Sequence, residues 1–165
     1  MSLDLYVISK QPVKHHGTGV FTRDNGETKE LSVEECNKLY PNSDIKEFET
    51  EDNILWDGNI THNMTTMASK CTCECPNKIS LYQLLWHPEE CTLLSENNTI
   101  NSSYIKAVLI CLEDLKSHKD FYEQYNPENH WGNYNVLVIF TEEFLKALNS
   151  IPQDKYSEFS IKASI

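Results

Sequence analysis

Apolar and polar residues alternate at the start of the chain. In "LDLYVIS" Leu3, Leu5 and Val7 share one face at a period of two, which predicts a strand. The following "KQPVKHHGTG" has no such period and reads as a basic loop. "GVFTRDNGETKEL" reads as a hairpin, because Asp24, Asn25 and Gly26 tolerate the positive φ of a tight turn. A short helix is predicted over "LSVEECNKLY". Ser32 and Glu35 have capping-box spacing, Val33, Cys36 and Leu39 or Tyr40 form the inner face, and Pro41 with Asn42 ends it.

Further along, "NILWDGN" resembles a strand that turns at Gly58, and "NITHNMTTMASK" places Ile60, Met64, Met67 and Ala68 on one side of a helix. "ISLYQLLWHPEEC" reads as a short apolar helix or turn running into a second helix start. Pro88, Glu89 and Glu90 suit a first turn, where proline needs no N–H partner and acids complement the dipole. From Ser103 to Ser117, Ile105, Val108, Leu109, Leu112 and Leu115 trace an amphipathic helix. "FYEQYNPENHWGNYN" is a turn-rich connector, "VLVIFTEEFLKALN" an apolar helix, and "YSEFSIKAS" a closing strand alternating Phe159, Ile161 and Ala163. Trp56, Trp86 and Trp131 read as core anchors. The pattern is α+β: a small, mostly antiparallel sheet with helices packed on one face, forming a single domain over residues 1–165.

Charge adds more than composition does. The 165 residues carry 25 acidic and 14 basic side chains, a formal net charge of -11, and Arg23 is the sole arginine. Phosphate binding favours clustered arginine and lysine, so direct nucleic-acid binding is disfavoured and a basic protein surface is the natural partner. The acids are densest from Asp44 to Asp57, and Asp44, Glu47, Glu49, Glu51 and Asp52 are the expected partner contacts. The chain has no apolar run of the roughly 18–20 residues that cross a membrane. "MSLDLYVISKQ" lacks the parts of an export signal, so the expected location is the cytoplasm.

Half of the six cysteines lie in "SKCTCECPNK", at 71, 73 and 75. A disulfide scaffold, a redox switch and a metal site are the alternatives. A reducing compartment disfavours the first, and no CxxC is placed between a strand and a helix for the second. Alternate positions of an extended segment project to one side, so Cys71, Cys73 and Cys75 suit a structural zinc. Cys91 is the first choice of fourth ligand, with His87 or His62 as alternatives. Such a zinc would pin the CxCxC segment as an insertion without a core of its own.

Asp57, His62 and Asn63 gather at a strand-to-helix junction, with His130 and Trp131 placed to close a pocket over them. A histidine beside a carboxylate suits a general base. The same residues also serve as helix caps and packing groups, since Thr61 or Asn59 makes a good N-cap. The chain has no GxSxG, HExxH or phosphate-cradling glycine loop.

The segments "GNITHNMTTMA", "LYQLLWHPEE" and "YNPENHWGNYNVLVIFTEEFLKA" together resemble a family of small uncharacterised proteins of bacteria and their phages. That family's pattern runs from "NITHN" through "LWxPEE" to "NPxNGWGxY". The resemblance covers about residues 53 to 150; His130 stands where the pattern has glycine, and the CxCxC segment is not part of it. It implies a phage or mobile-element origin and no known activity. The resulting expectation is a non-enzymatic acidic protein that binds and inhibits a larger nucleic-acid-handling host protein. An anti-defence inhibitor, such as an anti-CRISPR against an effector nuclease, is the natural example. The alternative is a small enzyme or ligand binder using His62, Asn63 and Asp57.

Overall fold

The computed structural model describes residues 1–14, 17–42, 48–74 and 77–165, with the backbone alone considered at 11–14 and 48–50. Its strands are β1 (Ser2–Lys14), β2 (Phe21–Asp24), β3 (Glu27–Glu30), β4 (Phe48–Thr61), β5 (Thr72–Cys73), β6 (Ile79–Ser80) and β7 (Phe159–Ser164). Its α-helices are α1 (Val33–Leu39), α2 (Thr65–Lys70), α3 (Leu81–Trp86), α4 (Ser102–Ser117), α5 (Lys119–Glu123) and α6 (Tyr134–Asn149). The class is α+β, and no helix among the described residues is long and apolar enough to cross a membrane. The chain divides into two compact units, one of Met1–Ser9 with Asn53–Ile165, the other Lys10–Asp52.

In the larger unit the sheet has the order β4-β1-β7. β7 runs antiparallel to β1 in a register that pairs Leu5 with Ala163 and Val7 with Ile161. The period of two then decides the packing: Leu3, Leu5 and Val7 are buried, whereas Asp4 and Tyr6 between them are only partly so. Against this apolar face lie the helices. α4 and α6 pack together, with Tyr104 edge-on to Phe144 at 6.4 Å between ring centroids. Two buried tyrosines also satisfy their hydroxyls on backbone carbonyls, Tyr104 donating to Leu84 at 2.6 Å and Tyr134 to Leu115 at 2.8 Å.

Several elements differ from the sequence pattern, each for a physical reason. Gly58 lies inside β4 instead of making a turn. A Cβ there would sit 2.4 Å from the Trp56 ring and 2.9 Å from Phe140, so glycine allows the indole to reach the α6 aromatics. The buried stripe of α4 contains Tyr104, Ala107 and Cys111, which hydropathy underrates, while Leu109 is exposed. Pro88–Glu90 closes as a single 3-10 turn and does not start a helix. Part of the expected connector is helical, as α5. Trp131 is not a core anchor: it is 73% exposed, and the backbone of its neighbour Gly132 packs on Met64 and Thr61 instead.

The Lys10–Asp52 unit is built differently. β2 and β3 form an antiparallel hairpin closed by Asn25 and Gly26, both at positive φ, as their residue types require. α1 starts with the capping box foreseen from sequence: Ser32 Oγ accepts from the Glu35 N–H at 3.1 Å, and Glu35 accepts from the Ser32 N–H at 2.9 Å. Among its described side chains only Leu31 and Cys36 are buried, while Phe21, Leu39 and Tyr40 are exposed.

Candidate functional site

The polar side chains of the larger unit converge around α3. Ser80 caps this helix in a second capping box with Gln83, and the apolar run Leu81, Leu84, Leu85 and Trp86 buries its inner face. Tyr82 and Trp86, four residues apart, share a side of the helix and stack at 5.8 Å between ring centroids. The 3-10 turn that follows brings His87 back beneath Tyr82. Tyr82 Oη lies 2.8 Å from His87 Nε2, and His87 Nδ1 lies 3.2 Å from Glu89 Oε1. Glu90 joins them, its N–H donating to the His87 carbonyl at 3.0 Å. Among the described residues, His87, Glu89 and Glu90 form the group whose ligand atoms all lie within 4.8 Å of one another.

On the other side of Trp86 stands His62. The indole N–H donates to His62 Nδ1 at 3.0 Å, so the neutral ring carries its proton on Nε2. That Nε2 is buried and has no hydrogen-bond partner among the described residues. His62 is held in place by the 3-10 turn His62–Met64, which Thr61 caps by accepting from the Asn63 N–H at 3.3 Å. Asn63 also donates through Nδ2 to Thr61 Oγ1 at 3.1 Å, so the Thr61 hydroxyl oxygen accepts from both the backbone and the side chain of Asn63. Asp57 is exposed on β4, and no hydrogen bond or ion pair among the described residues joins it to His62 or Asn63. His62 and Asn63 share the 3-10 turn, and the hydrogen-bond partner of His62 is Trp86.

The cysteines are divided between environments. Cys71, Cys73 and Cys91 are buried, Cys73 is disulfide-bonded, and Cys75 lies outside the described residues. Cys71 donates to the carbonyl of Cys111 on α4 at 3.2 Å, a neighbour that the linear spacing does not show. The hydrogen bond with Cys71 and then burial push the Cys111 thiol well up, and burial raises Cys91. Nearby, Tyr122 donates to the Asp114 carboxylate, and burial followed by that bond raises its hydroxyl. A cavity of about 550 Å³ opens between β5 and α4, with Cys73, Leu93, Lys106, Ile110 and Asp114 among its lining residues.

Of the expected partner contacts, Asp44 and Glu47 lie outside the described residues, and Glu49 is described by its backbone in β4. Glu51 and Asp52 are exposed on the same strand. Sequence reasoning placed His62 and His87 as alternatives for one metal, read Glu89 and Glu90 only as acids of a helix first turn, and passed over Tyr82. The spacing of "YQLLWHPEE" carries the signal, since Tyr82 and Trp86 are a helical i, i+4 pair directly ahead of the His-Pro turn. Compared with protein-family models, curated proteins and solved structures, the chain matches none of them.

Proposed function

We propose that the protein is a non-enzymatic interaction protein whose Lys10–Asp52 unit binds a basic surface on a larger, nucleic-acid-handling protein and blocks it. One observation carries this reading: among its described side chains the unit buries only Leu31 and Cys36 and leaves Phe21 62%, Leu39 63% and Tyr40 56% exposed. Phe21 and Tyr40 are of the aromatic type that interfaces favour as anchors. Charge supplies the second half. Ten acidic residues stand against six basic ones between Lys10 and Asp52, with Glu51 and Asp52 exposed. Acidic groups steer the encounter with a basic partner, and aromatic anchors then slow its dissociation. The resemblance to bacterial and phage proteins supports an anti-defence inhibitor, with an effector nuclease blocked by an anti-CRISPR as the model case.

The test is capture of the tagged full chain's partner from bacterial lysate, followed by kinetics with the purified partner. The expected partner is one nucleic-acid enzyme, released by salt. Reversing Asp44, Glu47, Glu49, Glu51 and Asp52 to lysine should slow association by about tenfold or more at low salt. Unchanged association and unchanged salt dependence would sink the assignment.

A second reading is favoured by the buried, unpartnered Nε2 of His62. A buried N–H without an acceptor costs about 1–3 kcal/mol, and a ligand oxygen reaching it would recover that cost. A small molecule that shifts the His62 ring resonances, with no protein partner captured, would select this reading over the first.

A further inference from the structure

We propose that His87, Glu89 and Glu90 bind a first-row divalent cation, at a site separate from the cysteine segment and independent of the partner-binding reading. The backbone builds the site. Pro88 begins a 3-10 turn, and the Glu90 N–H to His87 carbonyl bond of 3.0 Å closes it. That bond brings the backbone of Glu90 back to His87. Glu89 Oε1 reaches to 3.2 Å from His87 Nδ1, and all three donor atoms lie within 4.8 Å of one another. One ion can meet all three.

The ring is aimed from outside the turn. Tyr82, on α3, holds His87 Nε2 at 2.8 Å and packs edge-on to the imidazole at 5.1 Å between centroids. An ion on Nδ1 requires the ring proton on Nε2, which then donates to the Tyr82 hydroxyl. That is the outer partner which a metal-bound histidine ordinarily has, fixing tautomer and orientation. One imidazole with two carboxylates suits manganese, iron, cobalt or zinc better than calcium, which takes oxygen ligands alone. Glu89 and Glu90 are exposed and His87 is partly so, leaving the remaining coordination positions to water or to a ligand carried by another molecule.

Manganese is the probe, because it is paramagnetic and a poor ion for thiolates. Added in small increments to the full-length chain, it should first broaden the amide resonances of residues 87–90 and the ring resonances of Tyr82. Glu89→Gln with Glu90→Gln, both on exposed side chains, should abolish that local broadening. Tyr82→Phe should weaken binding by roughly tenfold or more while leaving all three ligands in place. Cys91→Ser should leave it unchanged. Broadening spread evenly over the acidic surface, centred on residues 71–74, or indifferent to the double glutamine variant would overturn the site. Loss of binding in Cys91→Ser would give the ion to the thiol and overturn it equally.

Discussion

Replacing His130 with glycine should stabilise the protein, although histidine has a side chain and glycine has none. His130 has a φ of 59°, in the left-handed region, and its side chain is exposed. Its turn is closed by its own N–H, which donates to the Pro127 carbonyl at 3.1 Å, and by the Trp131 N–H to Asn129 Oδ1 at 3.0 Å. Both bonds belong to the backbone or to Asn129, so glycine keeps them. The left-handed conformation costs a residue with a Cβ about 1–2 kcal/mol. Glycine gives back about 0.5–1 kcal/mol through the extra freedom it loses on folding. The net gain is about 0.5–1 kcal/mol, or about 1–4 °C in Tm for a chain of this size. Urea unfolding followed by tryptophan fluorescence reads the right unit, because Trp56, Trp86 and Trp131 all lie in it. Circular dichroism guards against a purely local change at Trp131. A midpoint that stays put or falls would mean that the imidazole itself supports the turn, and the reasoning would fail. Gly132→Ala supplies the opposite sign. At φ 93° its Cβ would lie 2.7 Å from Met64 Sδ and 2.9 Å from Thr61 Cγ2, so strain and overpacking should cost about 2–4 kcal/mol.

Two further outcomes follow from the structure. Trp86→Phe removes the indole donor from His62 Nδ1 and leaves a gap in a fully buried site, which should cost about 2–4 kcal/mol in urea unfolding; a cost within error of zero would deny that bond a role. At α1, Ser32→Ala should remove about 1 kcal/mol from the helix. The Ser32 backbone N–H, then the Lys29 charge, hold the Glu35 carboxyl below its ordinary range. A carboxylate depressed on folding contributes stability above its unfolded pKa and loses it as pH falls through the folded value. The protection factors of the α1 amides, the intrinsic exchange rate at each pH divided by the observed one, should therefore fall on acidification through that range in the native chain, and less steeply in Glu35→Gln. Parallel profiles for the two would disprove the linkage.

Local chemistry was legible before any coordinates. The alternation of Leu3, Leu5 and Val7, the capping box of Ser32 and Glu35, the Asn25-Gly26 turn and the α4 stripe of Ile105, Val108, Leu112 and Leu115 each depend on neighbours a few residues apart, and each appears in the structure. Periodicity and capping are short-range properties, so sequence alone determined them and with them the α+β class. What sequence could not determine is which side chains meet across distance. His62 met Trp86 on α3, twenty-four positions away, Cys71 found Cys111, forty positions away, and Gly58 proved to be room for Trp56 instead of a turn. Those choices follow from how the helices settle on the β1 face. Packing decides them, because a side chain's partner is set by the shape of the filled core and not by its place in the chain.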